Sequence, residues 1–208
     1  KGGFTDLSKA VDVTTTVING YGLAASEAEG ITDILVQTQN LGKTTVDELA
    51  SSMGKVIPTA AAANYSFEEL GAAYAQLTKN GIATAESGTY LRSMLSELTK
   101  SGSITDKALR DLSGKGFAEL KAEGTSTADI LNMLAEYAEQ DGKSLKDMFG
   151  SVEAGSAALV LARNDGQDYV EMLEAMQSST GAAQKAFDKV SSTSGARMKK
   201  SLNEIKNA

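Results

Sequence analysis

Residues 65–82 read Tyr65-Ser-Phe-Glu-Glu-Leu-Gly-Ala-Ala-Tyr-Ala-Gln-Leu-Thr-Lys-Asn-Gly-Ile82. Ser66 and Glu69 stand three residues apart ahead of an apolar series. That is the pattern of a capping box, in which the hydroxyl accepts an orphan helix amide and the carboxylate reaches back to the cap amide. Phe67, Leu70, Tyr74 and Leu77 follow at helical spacing on one face, and Asn80-Gly81 supplies the stop. A second box, Thr45-Val-Asp-Glu48, opens a helix carrying Val46, Leu49, Met53, Val56 and Ile57. Pro58 has no amide hydrogen and is expected to kink or break that helix near residues 55–57, with Ala60 to Ala63 resuming it.

Working outward, the same signals recur along the chain. Helices are expected at residues 5–19 and 27–40. Another starts at Thr84 or Ser87 and carries Tyr90, Leu91, Met94, Leu95 and Leu98. Shorter ones follow at 105–112 and 117–122. Thr125 to Thr127 cap a helix through Ile130, Leu134 and Tyr137, and Ser144 caps a short turn at 145–149. Residues 152–163 are apolar nearly all round, including Leu159 and Leu161, and are expected to be the buried central helix. Residues 169–177 place Tyr169, Met172, Leu173 and Met176 on one side. A terminal helix with Phe187, Val190, Met198, Leu202 and Ile205 is interrupted at 191–195 and is expected to pack less tightly after Val190. No stretch alternates as a half-buried strand does. The fold class is therefore all-α, a compact domain of roughly nine or ten helices of about 6–18 residues. Glycines at helix ends exclude one continuous coiled coil.

An internal helical-hairpin repeat is read at an offset of 59: Gly22, Leu23, Glu27, Ile31 and Leu35 correspond to Gly81, Ile82, Glu86, Tyr90 and Met94, preceded by Val11 and Ile18 against Leu70 and Leu77. Such a hairpin cannot bury its apolar face alone and must stack on a neighbour.

Composition narrows the chemistry. Among 208 residues there are 30 Ala, 6 Tyr, 5 Phe, one Pro and no Trp, Cys or His. A chain without Cys or His has no disulfide, thiol nucleophile, imidazole base or His-ligated metal. The net charge is −7, divided into +4 over residues 180–208 and −11 over residues 1–179. An acidic body repels phosphate backbones, so no direct nucleic-acid binding by it is expected. The longest uncharged apolar run, residues 154–162, is too short for a bilayer, so no membrane association of this segment is expected. The chain opens on Lys1 with neither an initiator Met nor a signal peptide, which reads as a piece of a longer protein.

Paired carboxylates are the one catalytic constellation left, as in glycoside hydrolysis. Glu68 with Glu69, Glu97, and Asp129 with Glu136 are nameable, but each sits by a cap or on an expected polar helix face. No catalytic, cofactor-binding or metal-binding residue is nominated, and no cofactor is expected. Gly114-Lys-Gly116 lacks phosphate-loop spacing and reads as a helix stop. Asn164-Asp-Gly-Gln-Asp168 lacks the calcium-loop pattern. The methionines (Met53, Met94, Met133, Met148, Met172, Met176, Met198) lie mostly on apolar faces and read as core filling.

An ordered series of segments carries a resemblance: Thr44-Thr-Val-Asp-Glu-Leu-Ala50, Tyr65-Ser-Phe-Glu-Glu-Leu-Gly-Ala-Ala73, Leu77-Thr-Lys-Asn-Gly-Ile82 and Ala85-Glu-Ser-Gly-Thr-Tyr-Leu-Arg-Ser-Met-Leu95. It continues through Ser126-Thr-Ala-Asp-Ile-Leu131, Phe149-Gly-Ser-Val-Glu-Ala-Gly-Ser-Ala-Ala-Leu159 and Ser178-Ser-Thr-Gly-Ala-Ala183. Over residues 20 to 190 the chain resembles the core region of phage tail tape measure proteins; Tyr90 and Met94 are bulkier than that family's usual residues. The resemblance implies a structural virion protein of a phage or prophage, not an enzyme. Such a protein lies in the tail lumen, sets tail length during assembly and is made in the host cytoplasm. Implied partners are the tail tube protein, tail assembly chaperones, distal tail or tip proteins and other copies of itself. On this reading residues 1–190 form the core helical domain, and residues 191–208 are a basic helix leading into an extended helical region. Two other functions fit the composition: a carboxylate-dependent cell-wall hydrolase domain of a tail protein, or a generic helical adaptor.

Overall fold

The structure is a computed structural model and describes residues 7–186, 188 and 189. Among the described residues there is no strand. The α-helices are α1 (Leu7–Tyr21), α2 (Ala28–Leu41), α3 (Val46–Met53), α4 (Ile57–Ala62), α5 (Phe67–Lys79), α6 (Thr84–Thr99), α7 (Ile104–Ser113), α8 (Phe117–Ala122), α9 (Thr127–Gln140), α10 (Val152–Leu161) and α11 (Gln167–Gln177). Two 3₁₀ turns, Ala25–Glu27 and Leu145–Met148, precede α2 and α10, and residues 182–186 are again helical. The expected all-α fold is borne out. The predicted start at Thr5 and everything predicted from Val190 onward, including the looser terminal helix, lie outside the described residues.

Both sequence-read capping boxes close. The Glu48 amide donates to Thr45 Oγ1 at 3.2 Å and the Thr45 amide to Glu48 Oε2 at 2.9 Å. At α5 the Glu69 amide donates to Ser66 Oγ at 3.1 Å and the Ser66 amide to Glu69 Oε2 at 3.0 Å. Pro58 breaks rather than kinks: α3 ends at Met53 and Pro58 sits in the first turn of α4, where a missing amide hydrogen leaves no intrahelical bond unmade.

The two halves of the offset-59 repeat share a local geometry. Gly22 and Gly81 take left-handed φ values of +66° and +93°. Beyond them the Leu23 amide returns to Ile18 O at 2.9 Å and the Ile82 amide to Leu77 O at 3.1 Å. This is a Schellman stop with an apolar residue after the glycine. The same bond recurs after Gly124 and Gly142, to Leu120 O and Ala138 O, so the shared feature is a way of ending helices.

One expectation is corrected. Residues 152–163 do not form the central helix. In α10 only Ala154, Gly155, Ala157, Ala158 and Leu161 are buried, while Val152 is 80% and Leu159 43% exposed. The centre is α5, buried from Phe67 to Thr78 except at Glu68 and packed against α2, α6, α10 and α11. Small residues allow this. A Cβ on Gly71 would lie 2.8 Å from Thr38 Oγ1 and 2.9 Å from Ile34 Cγ2, both on α2. Around α5 a single apolar core runs from Val13 on α1 to Met176 on α11. Met53, Met94, Met148, Met172 and Met176 are buried in it and Met133 packs against it, as core filling requires; Met198 is outside the described residues.

Candidate functional site

The buried end of α5 holds a cluster of polar groups drawn from five segments. Glu69 was expected on a polar face but is buried, because α8 and α9 close over the first turn of α5. Its Oε2 caps α5 through the Ser66 amide. Its Oε1 accepts from Lys121 Nζ on α8 at 2.6 Å and from Thr127 Oγ1 on α9 at 2.7 Å. Both partners of the Lys121–Glu69 pair have side chains only 9% exposed. The ammonium also lies 6.0 Å from the centre of the Tyr65 ring.

Three tyrosines extend the cluster. The Tyr65 and Tyr169 hydroxyls are 2.6 Å apart. Tyr169, on α11, donates to the Glu69 carbonyl at 3.3 Å, and Tyr21, on α1, donates to the Tyr65 carbonyl at 3.0 Å. Burial, reinforced by the negative charge of Glu69, pushes the Tyr65 phenol well above its ordinary value. Burial does the same to Tyr169, reinforced by Tyr65 and Glu69. Burial and the charges of Glu68 and Glu69 raise Tyr21. Protonated phenols and a carboxylate engaged by a lysine and a threonine form a closed network with no base positioned toward solvent. Its effect is to fix α8, α9, α11 and α1 around the start of α5.

Two of the other carboxylates weighed in the sequence, Glu97 and Asp129, are also engaged at helix starts. Glu97 on α6 accepts from the Gly150 amide at 2.5 Å, the Ser151 amide at 3.1 Å and Ser151 Oγ at 2.6 Å, capping α10 from a neighbouring helix. Asp129 accepts from Ser126 Oγ at 2.6 Å within the start of α9. Glu136 is exposed on α9. None of these pairs is brought together. Glu68 instead shares a mostly apolar groove of about 210 Å³ with Glu27, Tyr21 and Ile31. Gly114-Lys-Gly116 is a helix stop and restart: Gly114 ends α7 at φ +75° and the Gly116 amide donates to Glu119 Oε2 at 2.7 Å. That bond, with the Arg110 guanidinium, holds the Glu119 carboxyl below its ordinary range. Asn164, Asp165 and Gly166 are three consecutive left-handed residues that turn α10 into α11. No group of three or more Asp or Glu side chains suited to a metal occurs among the described residues.

Two buried tertiary contacts escaped the sequence reading. Lys121 and Glu69 are 52 positions apart, and no local spacing joins them. Asp33 is 2% exposed and accepts from the Gly181 amide at 2.6 Å and the Ala183 amide at 2.8 Å. It pins the helical residues after 181 to α2. A signal for Asp33 did exist: an acid flanked by the buried Ile31, Ile34 and Leu35 on one helix.

Comparison with known proteins assigns the chain. The profile described as "Phage-related minor tail protein" matches residues 1–150. The chain belongs to the phage-related minor tail protein family. It is 38% identical over 199 residues to the "Probable tape measure protein" of Clostridium phage phiCD119, covering 93% of this chain and 21% of that protein. It is 23% identical over 184 residues to the "Tape measure protein" of Pneumococcus phage Dp-1, covering 86% of this chain and 16% of that one. The chain thus spans between about a sixth and about a fifth of the length of these relatives. No solved structure matches it. The resemblance to tape measure proteins read from the sequence is borne out.

Proposed function

We propose that this minor tail protein segment is a docking or initiation module of a tape measure, and that extended helical parts of the parent protein do most of the measuring. The observation carrying this is the single core from Val13 to Met176 wrapped around α5. As one continuous helix, 208 residues span about 310 Å at 1.5 Å per residue. A folded domain of that size has a radius of gyration of about 17 Å and a diameter of roughly 40–45 Å. The folded segment therefore adds little length and presents a shaped surface. On this reading residues 1–190 are the module and residues 191–208 lead into extended helix. The module resides in the tail lumen, is synthesised in the host cytoplasm, and contacts the tail tube protein, assembly chaperones, distal tail or tip proteins and further copies of itself. Its role is structural and not enzymatic.

An in-frame deletion of the segment from the parent, with tail lengths measured by electron microscopy, tests the proposal. A change much smaller than 310 Å, or failure of tails to assemble, is the expected result. Tails shorter by about 310 Å would show that the segment is held open and counts as ruler.

A further inference from the structure

A polar groove of about 300 Å³ lies between α3 and α6, and none of the residues of the Glu69 cluster lines it. Its walls carry Ser51 and Lys55 from the α3 side, and Thr89 and Arg92 from α6. Ser52 and Gly88 line it between these walls. Ser52 Oγ is fixed by the Tyr74 hydroxyl at 2.8 Å and donates to the Thr84 carbonyl at 3.0 Å. Gly88 leaves its backbone bare, and a Cβ there would come within 2.6 Å of the Tyr74 hydroxyl. The base of the groove is therefore rigid, while its rim is exposed.

Charge distinguishes this groove. Residues 1–179 carry −11, yet this one groove is lined by two cations from different elements, Lys55 and Arg92, and by no carboxylate. Lys55 and Arg92 make no ion pair and no side-chain hydrogen bond within the described residues. An ammonium and a guanidinium thus face one hydroxyl-lined groove with no internal counter-charge. A guanidinium presents a planar fork that matches a carboxylate in two parallel hydrogen bonds, and an ammonium beside it supplies further donors; the groove hydroxyls of Ser51 and Ser52 already donate to the Asp47 and Thr84 carbonyls. The acidic surroundings work against polyanionic phosphate and are more easily overcome by single carboxylates on a peptide.

We propose that the Lys55–Arg92 groove is a docking site for an acidic segment of a partner protein, with a Glu or Asp carboxylate seated between the two cations. The proposal draws on the docking reading above only in taking the partner to be a tail or assembly component; the groove's own chemistry is measured separately. The 208-residue chain is titrated at low salt with N-acetyl-Ala-Glu-Ala amide, a peptide with a single carboxylate, following amide and Arg side-chain NMR signals. The expected result is shifts concentrated at Ser51, Ser52, Lys55, Gly88, Thr89 and Arg92. Binding should weaken by about tenfold or more in Lys55→Gln/Arg92→Gln and remain unchanged in Lys107→Gln, a control for an exposed cation on α7. The substituted side chains are exposed, so a retained circular dichroism spectrum separates lost binding from lost fold. Shifts spread evenly over all lysines, or full binding by the double variant, would overturn the proposal. Tighter binding of inorganic phosphate than of the peptide would overturn the carboxylate assignment. Failure of the tail-length experiment leaves this result intact, so the two readings fail independently.

Discussion

Helices α5 and α10 invite comparison because their sequences suggest the reverse of their positions. The α10 sequence, Val152-Glu-Ala-Gly-Ser-Ala-Ala-Leu-Val-Leu161, is the more apolar, yet one side of it faces solvent through Val152 and Leu159. The α5 sequence includes two glutamates, a glutamine and a threonine, yet it is the helix enclosed on all sides. Apolarity measures willingness to be buried; being enclosed also needs neighbours that can approach. Gly71, Ala72, Ala73 and Ala75 admit neighbouring helices, and Glu69 and Thr78 find partners there. At α10 the buried side is small (Ala154, Gly155, Ala157, Ala158) and packs on α6, but no described element covers the other side.

The largest expected effect is alkaline unfolding that originates around α5. The sign follows from the raised phenols of Tyr65 and Tyr169. The unfolded chain releases those protons near the ordinary value of about 10, while the folded chain retains them. Their contribution is whole below about pH 10 and is lost as pH rises from there toward the folded-state values. Two phenols together remove up to about 3 kcal/mol per pH unit in that window. Melting temperature should fall steeply above pH 10, and less steeply in Tyr169→Phe. An unchanged slope would detach the α5 cluster from the effect.

Next is the ion pair. Glu69→Ala leaves the Lys121 ammonium buried without its counter-charge and should cost about 3–5 kcal/mol in urea unfolding. Glu69→Leu with Lys121→Met should recover most of that loss, since an apolar pair of similar bulk avoids desolvating two charges. A double variant as unstable as Glu69→Ala would mean that the Thr127 and Ser66 bonds matter more than the charge.

Core truncation addresses the comparison directly. Leu70→Ala on α5 and Leu161→Ala on the inner side of α10, both fully buried, should each cost about 2–5 kcal/mol. Leu159→Ala, on the outer side of α10, should cost no more than about 1 kcal/mol, and Leu159→Lys should stay within about 0.5 kcal/mol of the parent. A cost for Leu159→Ala equal to that for Leu70→Ala would restore α10 as a central helix.

Much of the fold was legible because its signals are local. The boxes at Thr45 and Ser66, the break before Pro58 and the glycine stops at Gly22, Gly81, Gly124 and Gly142 each depend on residues within one turn of one another. Their chemistry is complete before any helix meets another. Of the two starts that the sequence offered for α6, the helix begins at Thr84 rather than Ser87, although Ala83 supplies no side-chain cap. The candidate cluster was half legible: Glu69 was visible as a cap but not as a buried ion-pair partner.

What the sequence by itself determined is the set of helices, their stops, the absence of thiol and imidazole chemistry, and the family. Tertiary structure alone decided which helix lies at the centre, which carboxylates cap a helix other than their own, and which cations are left without a partner. Local capping and periodicity involve residues a few positions apart. Enclosure of α5, the Glu69–Lys121 and Glu97–Ser151 contacts, and the open Lys55–Arg92 groove join residues tens of positions apart. Those elements meet only when the helices pack: Gly71 lets α2 come up against α5, and Gly88 lets Ser52 and Tyr74 come up against α6.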